Sequence, residues 1–234
     1  MKKKLSVMLS AIMMCVTILG GISTVSAEVN SDSDELFTQE QYDEGIREGW
    51  IEEDTSLEDI QQLNRDSARL EEELENDPSF YEVKTNTFRA GDIIVTNGVK
   101  VPLAGHAGIF VGKNTILHIA GPKKHPKTLS FSSWKNSYNK KAGSWTKVYR
   151  STTSSYGPAA SNWAMKHYYG SNAEYVINQD LKSTSKTYCS KIVYQAYYYG
   201  AGSKSIINPM TRGIIPPYDL RIVIRNCALK HTYN

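Results

Sequence analysis

Hydrophobic positions along this chain fall into three regimes. The first is a largely apolar run from Leu5 to Gly21, preceded by Lys2, Lys3 and Lys4 and closed by small residues at Val25, Ser26 and Ala27. A basic start, an apolar middle and a small-residue end make a secretory signal peptide, so residues 1–27 are expected to be removed and the product to be secreted or associated with the cell wall. No later stretch is long and apolar enough to suggest a bilayer span. The second regime, 28–87, carries a sparse stripe. Leu57, Ile60, Leu63, Leu70 and Leu74 recur at helical spacing behind a Thr55/Glu58 capping-box pattern, until Asn76, Asp77 and Pro78 stop the run. A shorter helix is expected over 39–51, and 28–38 read as disordered.

The third regime, from about residue 88, is punctuated as strands. G-D-I-I-V-T (91–96), H-A-G-I-F-V-G (106–112) and T-I-L-H-I-A-G (115–121) are short apolar runs, the last two joined by Gly112, Lys113 and Asn114 as a hairpin. A fourth strand is expected over 146–150 and a last one over 221–224, with a basic, serine-rich excursion at 122–145 between them. Helices are expected from Gly157 to Tyr169 and from Cys189 to Gly200. Strands first and helices after predict an α+β domain, an antiparallel sheet with helices packed on one side.

Charge divides the chain at the same boundary. Residues 28–87 hold twenty Asp and Glu against four Lys and Arg, a net of −16, whereas residues 88–234 hold four against twenty, a net of +16. The whole-chain value of +3 hides this opposition. We therefore expect three segments: a signal peptide at 1–27, an acidic, partly helical pro-segment or linker at 28–87, and a compact domain at 88–234. Opposite charge and a thin leucine stripe wanting a partner suggest that the acidic segment docks on the basic domain, to assist folding or to mask it. The basic domain suits an anionic wall polymer or lipid surface. No nucleic-acid module is recognisable, and a monomer is expected.

The candidate chemistry rests on three residues. Cys189 opens a helix, where unpaired N–H groups favour a thiolate. His106 and His118 lie on the two strands of the hairpin. With a three-residue loop Val111 faces Thr115 and Gly108 faces His118, so His106 and His118 share one sheet face as diagonal neighbours, whereas a two-residue loop would put them on opposite faces. Gly105 and Gly108 bracket His106 and leave room for close approach of a helix end. Cys189 would attack a carbonyl, His106 would carry its proton, and His118 would orient His106. The plainer alternative is a disulfide between Cys189 and Cys227, natural in an exported protein. A zinc site is disfavoured because the local ligand spacings are missing. No cofactor or metal is expected. Tyr194 and Tyr197 to Tyr199 suit packing better than a carbohydrate platform, and Asp92 reads as a turn residue.

The motifs G-D-I-I, G-H-A-G-I-F-V-G, L-H-I-A, Y-C-S-K-I-V-Y-Q-A-Y and P-P-Y-D-L resemble the permuted branch of the NlpC superfamily, across roughly 90–224. That branch includes YiiX-like bacterial hydrolases and lecithin retinol acyltransferase-like enzymes. The resemblance implies a papain-like, circularly permuted core in which Cys189 matches the nucleophile, His106 the base and His118 the third position. Many YiiX-like members have Glu at that position, whereas the acyltransferase-like branch has His. The expected activity is a secreted cysteine hydrolase working through an acyl-enzyme thioester, first on a cell-wall peptide bond. A lipid or fatty-acyl hydrolase or acyltransferase is the alternative. A different class is a non-catalytic envelope binder with Cys189 blocked by Cys227.

Overall fold

The structure, a computed structural model, describes residues 37–75, 87–99 and 102–234. The signal segment, residues 28–36 and the stop at Asn76 to Pro78 lie outside the described residues. All described residues belong to one compact unit. Its elements in chain order are α1 (Gln39–Arg47), α2 (Leu57–Glu75), β1 (Ile93–Thr96), β2 (His106–Phe110), β3 (Thr115–His118), β4 (Lys127–Ser130), α3 (Phe131–Tyr138), β5 (Thr146–Ser151), α4 (Tyr156–Tyr168), β6 (Glu174–Tyr175), β7 (Lys186–Thr187), α5 (Cys189–Gln195), α6 (Leu220–Val223) and β8 (Cys227–Tyr233). A π-helical turn, Ala196–Ala201, extends α5. No helix among them is long and apolar enough to cross a membrane.

Six strands form one antiparallel sheet in the order β4-β3-β2-β1-β5-β8, and β6 and β7 form a small parallel pair. Alternation along β2 explains how the sheet is covered. Ala107 and Ile109 face the main core with Ile192, Val193, Ala160 and Ala164 of α5 and α4. Phe110 faces the opposite side and joins Ile94, Ile116, Phe131, Trp134 and Val148. The helices that build the main core thus lie on one face, as the α+β pattern predicts, and α3 closes a smaller cluster on the other.

Two of the expected elements differ from the structure. Residues 221–224 are not a strand. Leu220 and Ile224, four apart, are both buried, and Val223 and Ile224 donate to the Asp219 and Leu220 carbonyls at 2.9 and 3.0 Å, which is helical spacing after the turn at Pro217. The last strand is β8, a half-buried edge whose mixed composition hides it. The excursion at 122–145 holds β4 and α3, the latter capped by Ser130 Oγ, which accepts from Ser133 N–H at 3.1 Å. The cap of α2 sits one residue later than the sequence pattern suggests: Ser56 Oγ accepts from Asp59 N–H at 3.1 Å.

The acidic segment is bound into the unit by apolar and polar contacts. Phe37, Ile51 and Ile60 are buried in the main core. From α2, Glu71 pairs with Lys147 and, at 3.5 Å, with Arg221, and Ser67 Oγ donates to Asp219 Oδ1 at 2.8 Å. Exposed pairs Lys123–Glu48, Lys186–Glu52 and Arg212–Asp54, each 2.8 Å, line the seam. The segments of opposite charge therefore meet.

Asp92 is more than a turn residue. Its buried carboxylate accepts two bonds from Arg150 at 2.6 Å and one from Arg89 N–H at 2.8 Å. Removing one partner of such a pair strands the other, so Asp92→Ala is expected to destabilise the fold by about 3 kcal/mol in urea titration. A loss below ~0.5 kcal/mol would show that solvent takes over the guanidinium.

Candidate active site

The hairpin turns as its sequence predicts. Val111 N–H donates to the Thr115 carbonyl at 2.8 Å, and Ile109 pairs with Leu117 and Phe110 with Ile116, so the same register puts Gly108 opposite His118. His106 and His118 share the face away from the main core, with His106 Nε2 and His118 Nδ1 2.8 Å apart. The rings meet nearly edge to face, at 79°. Among the described residues no hydrogen bond reaches His106 Nδ1, and His118 Nε2 is buried without a partner. The tautomer with hydrogen on His106 Nε2 donates to His118 Nδ1 and leaves His106 Nδ1 as the acceptor.

Two aromatic residues that sequence pattern missed hold this pair. Trp134 stacks on His106 at 5.1 Å and 20°, and Tyr138 lies 4.7 Å from it. They stand four apart on α3, so the W-x-x-x-Y spacing inside the excursion was the available signal. Gly108 serves this packing rather than a helix end, since a Cβ there would meet Ile116 at 2.7 Å and Trp134 at 3.2 Å. Gly105, with φ of +87°, turns the chain into β2 and lies against Tyr218.

Cys189 lies at the start of α5, which packs on β2, and its thiol is free, as is that of Cys227. The disulfide alternative is therefore not the arrangement found. Tyr188 Oη accepts from Ile215 N–H at 3.0 Å and Ser190 Oγ donates to the Ile215 carbonyl at 2.6 Å, so one loop pins both residues flanking the cysteine. The rest of α5 is anchored from below. Lys191 Nζ donates to the Lys186 carbonyl at 2.6 Å and to Asn178 Oδ1 at 3.1 Å, and Gln195 Nε2 donates to the Leu181 carbonyl at 2.8 Å. These bonds let a fully buried helix carry a lysine and a glutamine.

The electrostatics differ from the thiolate expectation. Cys189, His106 and His118 are 3%, 2% and 1% exposed. Burial raises the Cys189 thiol, opposed by the backbone N–H groups of Ala107, Ser190 and Cys189 and by the Ser190 hydroxyl. Burial, then His118, pushes His106 well below its ordinary range, and burial, then Lys127, lowers His118 to about 3. At neutral pH the resting groups are a thiol and neutral imidazoles, because desolvation of this buried pocket outweighs the helix end. The sulfur lies near β2 and α3: the Ala107 N–H it meets belongs to the residue after His106, and its proximity adds to the rise of Tyr138, whose hydroxyl is pushed to about 12 chiefly by burial, while among the described residues no hydrogen bond joins the sulfur to His106 itself.

Both imidazoles bind protons less readily folded than unfolded, where the ordinary value is 6.5. In that window the unfolded chain takes up protons and the folded one does not. Stability is full above about pH 6.5 and falls as pH drops towards the folded values, by roughly 1.4 kcal/mol per pH unit and per ring. Urea midpoints at pH 7 and pH 5 are expected to show this fall, and His118→Phe to halve it. Equal slopes in wild type and variant would contradict the assignment.

A cleft of about 250 Å³ is lined by Trp50, Lys123, His125, Glu174 and Tyr175 among others, and by none of Cys189, His106 and His118. Residues 123–125 belong to the loop between β3 and β4, and Glu174 and Tyr175 are β6, which pairs with β7 just before Cys189. Tyr175 joins cleft to sulfur, its hydroxyl raised by burial and then by the nearby Cys189. His125, His167 and His231 have other contacts: His125 bonds the Ala173 carbonyl, His167 stacks on Trp163 and His231 lies tilted against Tyr233. Tyr194 and Tyr197 are likewise buried. Among the described residues no group of three or more His, Cys, Asp or Glu side chains is placed to hold a metal ion.

In structure, the chain is similar to a crystal structure of the metalloprotein YiiX from Escherichia coli O157:H7, at 16% identity and a TM-score of 0.46, over 65% of this chain and 99% of that one. In sequence, it is 35% identical over 143 residues to an uncharacterised 30.3 kDa protein of Bacillus thuringiensis, which is 57% of this chain and 52% of the relative. The chain thus spans about half the length of that relative. Residues 68–229, which include His106, His118 and Cys189, match the model of a family described as lipoprotein N-acylation protein LnsA-like. The chain belongs to the lipoprotein N-acylation protein LnsA-like family.

Proposed function

We propose that this protein is a thiol acyltransferase that takes a fatty acyl group from a lipid ester and passes it to an amine. The observation that carries the proposal is the family match, which spans the whole Cys–His–His set and whose description is lipoprotein N-acylation. It favours the lipid alternative over the cell-wall peptide bond as substrate.

The chemistry assigned to the site follows from its groups. Cys189 Sγ attacks the ester carbonyl as His106 Nδ1 takes the thiol proton. The N–H groups of Cys189 and Ala107, which face the sulfur, are the donors assigned to the developing oxyanion. Collapse expels the lipid alcohol, which leaves with the proton from His106, and an acyl thioester remains. The amine then attacks the thioester, His106 takes the amine proton and returns it to the departing sulfur, and an amide is released. His118 Nδ1, 2.8 Å from His106 Nε2, holds the ring in the tautomer this cycle needs. With water as acceptor the same cycle is an esterase.

The cleft beside Tyr175 is the approach assigned to the substrate. The export signal read at 1–27 suits work at the cell envelope. Incubation of the purified protein with phosphatidylglycerol vesicles and a peptide bearing a free amino terminus, followed by intact-protein and peptide mass spectrometry, tests the proposal. An acyl adduct on Cys189 that is chased to the peptide is expected. A peptide acylated equally well by a Cys189→Ala protein would refute it.

A further inference from the structure

His106 is the first residue of β2, and Thr96↔His106 is the last pair of the β1–β2 ladder. Sheet hydrogen bonds therefore hold its backbone on the C-terminal side only. What holds it on the other side comes from the acidic segment. Asn64 on α2 donates from Nδ2 to the Pro102 carbonyl at 3.0 Å and accepts at Oδ1 from Ala104 N–H at 2.8 Å. Asn64 is 1% exposed and both bonds are buried. A carboxamide offers a donor and an acceptor side by side, so it can satisfy a carbonyl and an N–H two residues apart. Left unmet in this buried setting, each backbone group would bear its full desolvation penalty. Gly105 then donates to the Val99 carbonyl at 2.9 Å with Tyr218 against it, and His106 follows.

We infer that Asn64 is a positioning residue for the candidate base: its two bonds to Pro102 and Ala104 fix the loop that leads into His106 at the start of β2. The inference rests on the reading above that His106 carries the proton. It also gives α2 a role in the reaction, since Asn64 lies outside residues 68–229 that match the family. Misplacement of a reacting group by about 1 Å costs on the order of 100-fold in rate. Asn64 sets that placement without touching substrate.

The test uses the full chain and release of nitrophenol from a p-nitrophenyl acyl ester. Asn64→Ala is expected to lower kcat by roughly 10- to 100-fold with KM changed by less than about threefold. Gln61→Ala is the control, because it removes another bond of α2, Nε2 to the Phe37 carbonyl at 2.9 Å, and leaves the loop alone. It is expected to lower Tm and to spare kcat. Asn64→Asp supplies a signature that general destabilisation lacks. Its carboxylate still accepts from Ala104 N–H but faces the Pro102 carbonyl with lone pairs, whereas the protonated form restores the donor. Its rate relative to wild type should rise as pH is lowered from 8 to 5.5. An Asn64→Ala rate equal to wild type, or lost in step with Tm as in Gln61→Ala, overturns the inference. If Asn64→Ala does not fold, a pH-independent ratio for Asn64→Asp overturns it. Failure of the wild-type protein to form an acyl adduct on Cys189 defeats the thioester reading instead, and the two failures are told apart.

Discussion

Cys189→Ser is expected to lower acyl transfer by at least about 10³-fold while leaving Tm within a few degrees of wild type. The substitution changes one atom of a side chain that is buried and free of any disulfide, so packing is almost conserved. The reactivity is not. Burial pushes His106 well below its ordinary range, and a base that weak accepts a proton from a thiol far more readily than from an alcohol. A serine in this place therefore keeps its proton, unlike a serine beside an unperturbed imidazole. Cys189→Ala should fall to the same floor, which confirms that the serine is silent rather than slow. Because burial also raises the thiol, alkylation of wild-type Cys189 by iodoacetamide should be slow at pH 7 and quicken above pH 9. Serine retaining a tenth of the rate would show that residue 189 is not the attacking atom.

A chain beginning at residue 88 is expected to lose cooperative folding altogether. The charge pattern by itself suggests a detachable −16 segment held to a +16 domain and released by salt. The contacts weigh otherwise. The pairs Lys123–Glu48, Lys186–Glu52 and Arg212–Asp54 are solvent-exposed, so water and salt screen them and they contribute little. Phe37, Ile51 and Ile60 are in the main core, and losing each leaves a gap worth about 2–4 kcal/mol. The deletion also takes the Glu71 carboxylate from Lys147 and Arg221, and Asn64 from Pro102 and Ala104. Together these rival the whole stability of a domain, roughly 5–15 kcal/mol. Circular dichroism of 88–234 should show no sigmoidal melt at low or high salt, whereas 37–234 should melt as one unit. A folded, active 88–234 would restore the detachable pro-segment.

The way the acidic helix docks also explains why composition misjudged it. Its leucine stripe is thin, and the residues that anchor α2 are polar: Asn64, Ser67 and Glu71 at intervals of three and four, one face of the helix. A polar stripe reads as a solvated face until its partners are known. The partners are 38 and more residues away in the chain, a carbonyl and an N–H among them, and no local pattern announces a backbone group that needs a side chain.

What the sequence determined by itself is what short-range physics controls. Gly112 and Asn114 announced the hairpin, alternation along β2 set which of its residues share a face, and the apolar helix after Tyr188 put Cys189 at a helix start. The pairing of His106 with His118 waited on the loop length, because strand geometry has a period of two; the bond from Val111 to Thr115 makes the loop three residues and puts both rings on one face. What only the tertiary structure decided depends on where water is excluded. Trp134 and Tyr138 cover the imidazoles, α5 is buried on all sides, and the thiol and both rings are consequently neutral at rest. Helix ends and neighbouring charges can be read from spacing along a chain, but desolvation depends on everything packed around a group, and that is set by the fold as a whole.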